Sequence, residues 1–438
     1  MATAVIVGTL AGVAAWVLKS TIGYMCRFFT GFASTHHPNL YLLFLPVVGI
    51  MLAVAFQRWI AGRSLQHGTT IVAQALARQQ YSLPVSLSYQ PVIASILTLG
   101  FGGSAGAEGP VATVGAAIGS NIARLTGMSA DTQRVMIGCG AGAGISGIFK
   151  SPIGGALYTL EVMKMPLTTI TVLALIVASI CGSVTCYILT GFTFDVQFLP
   201  KSFFDAHTIG WVILLGVFCG FYSVYYNKVS TMLVKFLTGI RNAWVRALVS
   251  GLCLGATLFM FPALYGEGYG VVTQLANGSL EEFIGGSLFQ SEAHSVGIFI
   301  LLAAGVMLLK VFAAIFTNSG GGVAGDFAPT IFAGGFCGLV FAWGVNQMFD
   351  AHLPVGLFVL YGTAGAFAGI IHAPLMATFL VSEMIGNGYG FFLPLAITAT
   401  VSYLTVKIIT PASRYIANNH DDIDALLHLF KKHSDKKE

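Results

Sequence analysis

Six long apolar stretches constrain this chain more than any other feature of its sequence. Each approaches the roughly 20 residues that an α-helix needs to cross the hydrocarbon core of a bilayer. Backbone amides in hydrocarbon must be paired within helices or a closed barrel, and no alternating ten-residue pattern supports a barrel. The sequence therefore predicts an all-α, polytopic membrane protein. The six stretches are Ala4–Leu18, Tyr41–Phe56, Ile170–Leu189, Ile209–Tyr225, Val296–Val311 and Phe391–Val406.

Composition favours the same class. Of the 438 residues, 56% are hydrophobic and 9% are charged, whereas about a quarter of the residues of a soluble domain are charged. The first stretch lacks a preceding basic segment and is followed by others, so we interpret it as a membrane helix and not as a signal peptide. The seven cysteines show no metal-ligand spacing, so we predict no metal and no cofactor.

Basic residues near or beyond the last apolar stretch indicate the orientation of the chain. By the positive-inside rule they predict a cytoplasmic C-terminus, and we expect the protein in the plasma membrane of a bacterium. These residues are Lys407, Arg414, Lys431, Lys432, Lys436 and Lys437.

Two glycine-rich blocks echo each other, which indicates an internal duplication. The segment GSAGAEGPVATVGAAIGS, ending at Ser120, resembles GGGVAGDFAPTIFAGGFCG, ending at Gly338. A second pair of segments ends at Glu161 and Glu383 and keeps a separation of 222 residues. In the first pair, the positions that match at a separation of 219 residues are Gly106 and Gly325, Pro110 and Pro329, Gly115 and Gly334, and Gly119 and Gly338.

The duplication predicts a division of the chain into two membrane repeats. We place the first at residues 1–205, the second at 206–415 and a cytoplasmic tail at 416–438. If each repeat crosses the membrane an odd number of times, the two are oppositely oriented and meet at the bilayer midplane. Inverted repeats of this kind are typical of transporters and channels, and we expect many tilted and half-spanning helices.

In both blocks a glycine-rich segment leads into a proline, which suits the first turn of a helix because it has no amide hydrogen to satisfy. We predict that helices begin at Pro110 and Pro329. Their free amides and positive dipole ends, each equivalent to roughly half a charge, would point into the glycine-rich segments. Two such helix starts would bind an anion weakly enough to release it. The alternative for either block alone is a kinked, tightly packed helix.

Glu108 lies inside the first of these segments. A carboxylate in an apolar membrane segment is costly, which makes it a candidate functional group. When ionised, it would compete with a free anion for the amide-lined site; when protonated, it would swing out and admit one. The alternative is an exposed loop glutamate.

From these residues the chain resembles the CLC family of chloride channels and chloride/proton antiporters, over about residues 62–415. The family patterns GxExP and GxFxP are met at Gly106–Pro110 and Gly325–Pro329. The resemblance implies that Glu108 is the gating glutamate, and it also implies a homodimer with one pore per subunit. We expect the side chain of Asp326 to face away from the pore. The residues that the resemblance implies in anion binding are Gly106, Gly109, Gly325, Asp326, Phe327 and Ala328.

Two anion-binding positions match the family less well. The family motif GSGIP supplies a serine hydroxyl, but the aligned stretch Gln66–Thr70 places His67 there, with GEGYG at Gly266–Gly270 as its echo. His67 could donate a hydrogen bond to the anion and make transport pH-sensitive, or it could face water at a helix end. The family's tyrosine, whose hydroxyl faces the central anion, is best matched by Tyr415, for which a surface position is the alternative.

Antiporters of the family carry an internal proton-transferring glutamate, and the matching position here is Val162. An apolar residue there is typical of the family's channels and favours passive or uncoupled transport. Glu161 is adjacent and Glu383 mirrors it, which keeps a different proton path open. A one-residue step turns a side chain by about 100° on a helix, so Glu161 is not a simple replacement. Alternatively, both carboxylates cap or bridge helices.

The leading prediction is therefore transmembrane transport of a small anion, chloride by default, in a channel-like or uncoupled manner and without a nucleic-acid partner. The alternative within the family is chloride/proton antiport by a non-standard proton path. An intramembrane enzyme is disfavoured, because the membrane segments contain no GxSxG, HExxH or aspartate pair. A cation transporter would place carboxylates or unwound carbonyls at the midplane instead of two helix starts.

Overall fold

The computed structural model describes residues 1–31, 40–65, 68–191, 204–279, 281–289 and 296–410. Within these ranges the chain forms sixteen α-helices and no extended strand. They are α1 (Ala2–Thr30), α2 (Tyr41–Ala55), α3 (Gly68–Ala77), α4 (Gln90–Leu99), α5 (Glu108–Leu125), α6 (Ala130–Phe149), α7 (Pro152–Leu157), α8 (Thr169–Leu189), α9 (Ile209–Thr238), α10 (Ala243–Met260), α11 (Tyr269–Asn277), α12 (Val296–Gly320), α13 (Phe327–Phe349), α14 (Val355–Ile371), α15 (Pro374–Met384) and α16 (Phe392–Ile409).

Eight helical segments of the described chain are long and apolar enough to cross a membrane, by length and composition. All six predicted stretches fall in such segments, so the prediction of an all-α polytopic protein is confirmed. Two further segments, Ala243–Met260 and Phe327–Phe349, were not singled out from the sequence. Three apolar helices are shorter, including Gln90–Leu99 and Pro374–Met384, as expected for helices that cross only part of a bilayer.

The helices of the two halves pack in matching pairs. α1 lies against α6 and α8, and α9 lies against α14 and α16. α5 packs on α6 as α13 packs on α14, and glycines allow both close approaches. A Cβ added to Gly115 would lie 2.0 Å from the Gly140 carbonyl oxygen, and one added to Gly338 would lie 1.9 Å from that of Phe358.

The predicted helix starts are wrong by two residues. α5 begins at Glu108 and α13 begins at Phe327, so each proline is the third residue of its helix. The helix still tolerates it, because the amides of the first turn have no intrahelical acceptor and proline therefore loses no hydrogen bond there. The first amide of α5 with such an acceptor is that of Val111, which donates to the Ala107 carbonyl at 3.2 Å.

Three sequence-based predictions fall on residues outside the described ranges. They concern His67, Tyr415 and the tail at 416–438.

Candidate functional site

The two glycine-rich segments meet at a pair of residues that are equivalent in the duplication. Gly106 and Gly325 form an isolated antiparallel bridge. The Gly106 amide donates to the Gly325 carbonyl at 2.9 Å, and the Gly325 amide donates to the Gly106 carbonyl at 2.6 Å. The starts of α5 and α13 are therefore tied together by backbone hydrogen bonds, and the two segments run in opposite directions where they touch.

Glu108 fills the space between these two helix starts. Its side chain is 1% exposed. One carboxylate oxygen, Oε1, accepts from the Phe327 amide at 2.5 Å and from the Ala328 amide at 3.3 Å. These are the first two residues of α13, whose positive dipole end therefore faces a negative side chain. The carboxylate of the first repeat is thus bound by the helix start of the second.

Glycine is required on both sides of this carboxylate. A Cβ on Gly106 would lie 1.8 Å from Glu108 Oε2, and a Cβ on Gly325 would lie 2.5 Å from Oε1. At Gly109 it would lie 3.2 Å from the Gly325 Cα. The three glycines therefore leave room for a group the size of a carboxylate or a small anion, and any side chain there would occupy it.

The second oxygen of this carboxylate, Oε2, has no hydrogen-bond partner among the described residues. An unpaired buried oxygen is costly when the group is ionised. The carboxylate is thus held on one side only, by two amides that could equally hold another anion. Protonation would weaken that hold, because the charge that strengthens both hydrogen bonds would be lost.

Aromatic rings enclose the same amides. The Phe327 ring lies edge-on to Tyr158 at 5.8 Å and to Phe367 at 5.0 Å between centroids. Tyr158 and Phe367 are buried. Closely packed rings exclude water and so strengthen the electrostatic interactions of the site. Sequence analysis did not single out Tyr158, which precedes Glu161 by three residues in the helical turn Tyr158–Val162.

The Asp326 side chain is turned toward α12, where its Oδ1 accepts from Asn318 Nδ2 at 2.7 Å. Asp326 is the residue that precedes the first turn of α13. Glu108 takes the amides of Phe327 and Ala328 and not that of Asp326.

Two charged residues that sequence analysis did not assign to the site lie beside it. Glu267 Oε1 accepts from the Ala107 amide at 3.0 Å. Lys310 is fully buried and donates to Ser104 Oγ at 2.9 Å. Lys310 could have been found, because it is the one charged residue in the apolar stretch Val296–Val311 and such residues are functional candidates.

Glu161 caps a helix of the other half of the chain. It accepts from the amides of Leu375 and Met376, at 3.2 and 2.7 Å, at the start of α15. Glu383 does the same at the start of α7, where the amides of Ile153 and Gly154 each donate to its Oε2 at 3.0 Å.

The remaining contacts of Glu383 are a second bond from the Ile153 amide, to its Oε1 at 3.2 Å, and two side-chain hydrogen bonds. Ser151 Oγ and Tyr389 Oη donate to its carboxylate at 2.5 and 3.0 Å. Val162 is half-buried and packs against the core. Glu161 is the acidic residue of the turn Tyr158–Val162, and both of its oxygens accept hydrogen bonds from α15.

Comparison with known proteins shows the family of the chain. A family model described as "Voltage gated chloride channel" matches residues 48–407. The chain belongs to this family, the CLC family. The putative chloride channel protein ClcB-like of Ralstonia nicotianae is 27% identical over 387 residues, which are 83% of this chain and 84% of the relative. The H(+)/Cl(-) exchange transporter ClcA of Vibrio cholerae is 26% identical over 321 residues, 71% of this chain and 64% of that one.

The fold of this CLC protein also matches a solved structure. A slow cyanobacterial Cl⁻/H⁺ antiporter has a TM-score of 0.80 and 19% sequence identity, covering 96% of this chain and 97% of that one. The CLC fold and a multi-pass membrane protein are therefore established. Anion transport by CLC proteins is the coarse function that follows from the family.

Proposed function

We propose that this CLC protein moves a small inorganic anion, with chloride as the default, past a gate formed by the Glu108 carboxylate. The observation that carries the proposal is the binding of Glu108 Oε1 by the amides of Phe327 and Ala328. These amides are the donors that an anion would use, and the carboxylate occupies the position where the anion would bind.

The gate would work by competition for the two amides. A hydrogen bond to a charged group contributes about 1.5–3 kcal/mol, so an ionised carboxylate and a halide compete on similar terms. Protonation of Glu108 removes its charge and frees the amides for the anion. Because the α13 start offers partial charges and not a full cation, the anion is released again readily.

Of the other predicted anion ligands, the backbones of Gly106, Gly109 and Gly325 supply the space around the carboxylate. We retain His67 and Tyr415 as proposed ligands on the basis of the family resemblance.

Proton-coupled exchange is the other candidate, and the comparisons support it more than they support a channel. It is favoured by the relative from Vibrio cholerae, which is named an exchange transporter. Uncoupled or channel-like transport is favoured by Val162 and by the engagement of Glu161 with the Leu375 and Met376 amides. If protons are exchanged, they reach Glu108 by a path without a carboxylate at position 162.

One reconstitution experiment tests both candidates. Purified protein in liposomes with a chloride gradient is monitored for chloride release and for proton movement. Chloride release supports the proposal, and its absence overturns it. Protons moving against their gradient decide for exchange; chloride release without them decides for uncoupled transport. Asp350→Asn is the matched control for variants of Glu108 in the same assay, because the Asp350 carboxylate is 87% exposed.

We also propose that the protein works as a homodimer in a bacterial plasma membrane with its C-terminus cytoplasmic, as the resemblance and the basic C-terminal residues suggest. The mass of the detergent-solubilised protein, corrected for bound detergent, tests the dimer. Accessibility of a C-terminal tag in sealed cells tests the orientation.

A further inference from the structure

A fully buried lysine lies beside the glycine-rich segment that carries Glu108. Lys310 in α12 is 0% exposed. Its Nζ donates to Ser104 Oγ at 2.9 Å and to the Gly266 carbonyl at 3.5 Å, and it lies 4.5 Å from the centroid of the Phe332 ring. Neutral oxygens and a ring do not compensate a buried ammonium by themselves, so Lys310 stays charged only if a carboxylate shares the site.

Two carboxylates meet this requirement. Glu267 follows Gly266 directly, and its Oε1 accepts from the amide of Ala107, the residue before Glu108. Lys310 interacts electrostatically with both Glu267 and Glu108, and the two carboxylates interact with each other. When all three groups are ionised, Lys310 attracts both carboxylates, whereas Glu267 repels Glu108.

These two groups differ from the other polar groups around the gate. Tyr158 and Tyr226 lie close enough to Glu108 to feel its charge, and Tyr226 also feels that of Asp326. Tyrosine phenols are uncharged near neutral pH, and the Asp326 carboxylate is held by Asn318.

Both charged neighbours are hydrogen-bonded to the segment Ser104–Glu108, which carries the gate. Lys310 bonds to Ser104 and Glu267 bonds to Ala107, while Glu108 follows on the same stretch of backbone. Lys310 and Glu108 are buried, so water screens the interaction between their charges only weakly.

We propose that Glu267 and Lys310 are positioning residues that set the pH at which Glu108 leaves the amides of Phe327 and Ala328. Glu267 repels the ionised gate and favours its protonation and opening. Lys310 attracts the ionised gate and favours the closed arrangement. The inference rests on the proposed gating role of Glu108, and it gives the GEGYG segment a function in transport.

The test is the pH profile of chloride flux from liposomes, measured for the wild type, Glu267→Gln, Lys310→Met, Lys310→Arg and the Glu267→Gln/Lys310→Met double variant. Flux rises as pH falls through an activation midpoint. Removing the negative neighbour shifts the midpoint toward acid, and removing the positive neighbour shifts it toward alkaline pH. Each shift is about one pH unit, the smaller end of what a nearby charge produces. The double variant returns toward the wild type, and Lys310→Arg stays near it.

Each outcome bears on a stated claim. Opposite shifts that cancel in the double variant support the inference. Unchanged midpoints, shifts of the same sign, or a change in chloride affinity alone overturn it. A wild type without chloride flux overturns the proposed function instead, so the two failures are distinguishable. If Lys310→Met does not elute as a folded protein, Glu267→Gln decides, because an acid shift is expected from it and any other result contradicts the proposal.

Discussion

Gly106 and Gly325, which lie 219 residues apart at equivalent positions of the duplication, are hydrogen-bonded to each other through both of their amides. The predicted duplication therefore matters for the site as well as for the number of helices. It brings two copies of one glycine-rich segment face to face, and the Glu108 carboxylate of one copy sits on the helix start of the other.

Replacement of Gly325 by alanine should close this space. The new Cβ would lie 2.5 Å from Glu108 Oε1 and 2.7 Å from the Gly109 amide nitrogen, so the carboxylate or the backbone must move. We expect chloride flux to fall at least about tenfold, which corresponds to about 1.4 kcal/mol. Liposome flux measures this. Gly344→Ala in α13, the helix that follows Gly325, is the control, since a Cβ there meets nothing within 4 Å. Equal flux in the two variants would contradict the prediction.

Replacement of Glu108 by glutamine should leave the gate permanently uncharged. A neutral amide side chain holds the Phe327 and Ala328 amides more weakly than a carboxylate does. We expect chloride flux at neutral pH to reach or exceed the acid-activated level of the wild type and to lose its dependence on pH. Flux measured from about pH 4.5 to pH 8 tests this. A wild-type pH profile in Glu108→Gln would show that the Glu108 carboxylate is not the gate. Asp350→Asn should keep the wild-type profile.

Much of the fold could be predicted because hydrophobic length is a local property. Every predicted apolar stretch lies in a helix that is long enough to span, and the spacing of Gly106 and Pro110 located the start of α5 to within two residues. The repeat offset also brought Gly106 and Gly325 into correspondence, although their direct pairing requires the two halves to fold together.

The charges around the gate could not be predicted in the same way. Ala107 and Glu267 are 160 residues apart in sequence, as are Ser104 and Leu264, and only the packing of α12 and the GEGYG segment against the first repeat joins them. The hydrogen bonds of Glu161 could not be predicted either, because they depend on where α15 begins. Sequence spacing within one repeat carries no information about contacts between repeats.

His67 stands where the family motif has a serine, and it remains a sequence-based prediction for selectivity. An imidazole N–H and a hydroxyl offer different donor geometry and charge to a bound anion. We expect His67→Ser to change the ratio of chloride to nitrate and fluoride permeation and to reduce any pH dependence beyond that of Glu108. Competition flux with the three anions tests this. His67→Gln, which keeps a donor but does not titrate, separates loss of a hydrogen bond from loss of charge; identical anion ratios in all three proteins would exclude a role in selectivity.

Glu161 and Glu383 cap α15 and α7 reciprocally, and this arrangement predicts a structural effect. Replacing a helix-capping side chain lowers the free energy of unfolding by about 0.5–2 kcal/mol. The carboxylate of Glu383 also accepts hydrogen bonds from the hydroxyl groups of Ser151 and Tyr389. We therefore expect Glu383→Gln to lower the thermal unfolding midpoint in detergent more than Glu161→Gln does, because it weakens more hydrogen bonds. In both variants the ratio of protons to chloride should match that of the wild type, since the oxygens are engaged by backbone amides. A changed ratio in Glu161→Gln with an unchanged unfolding midpoint would instead place this carboxylate on a proton path.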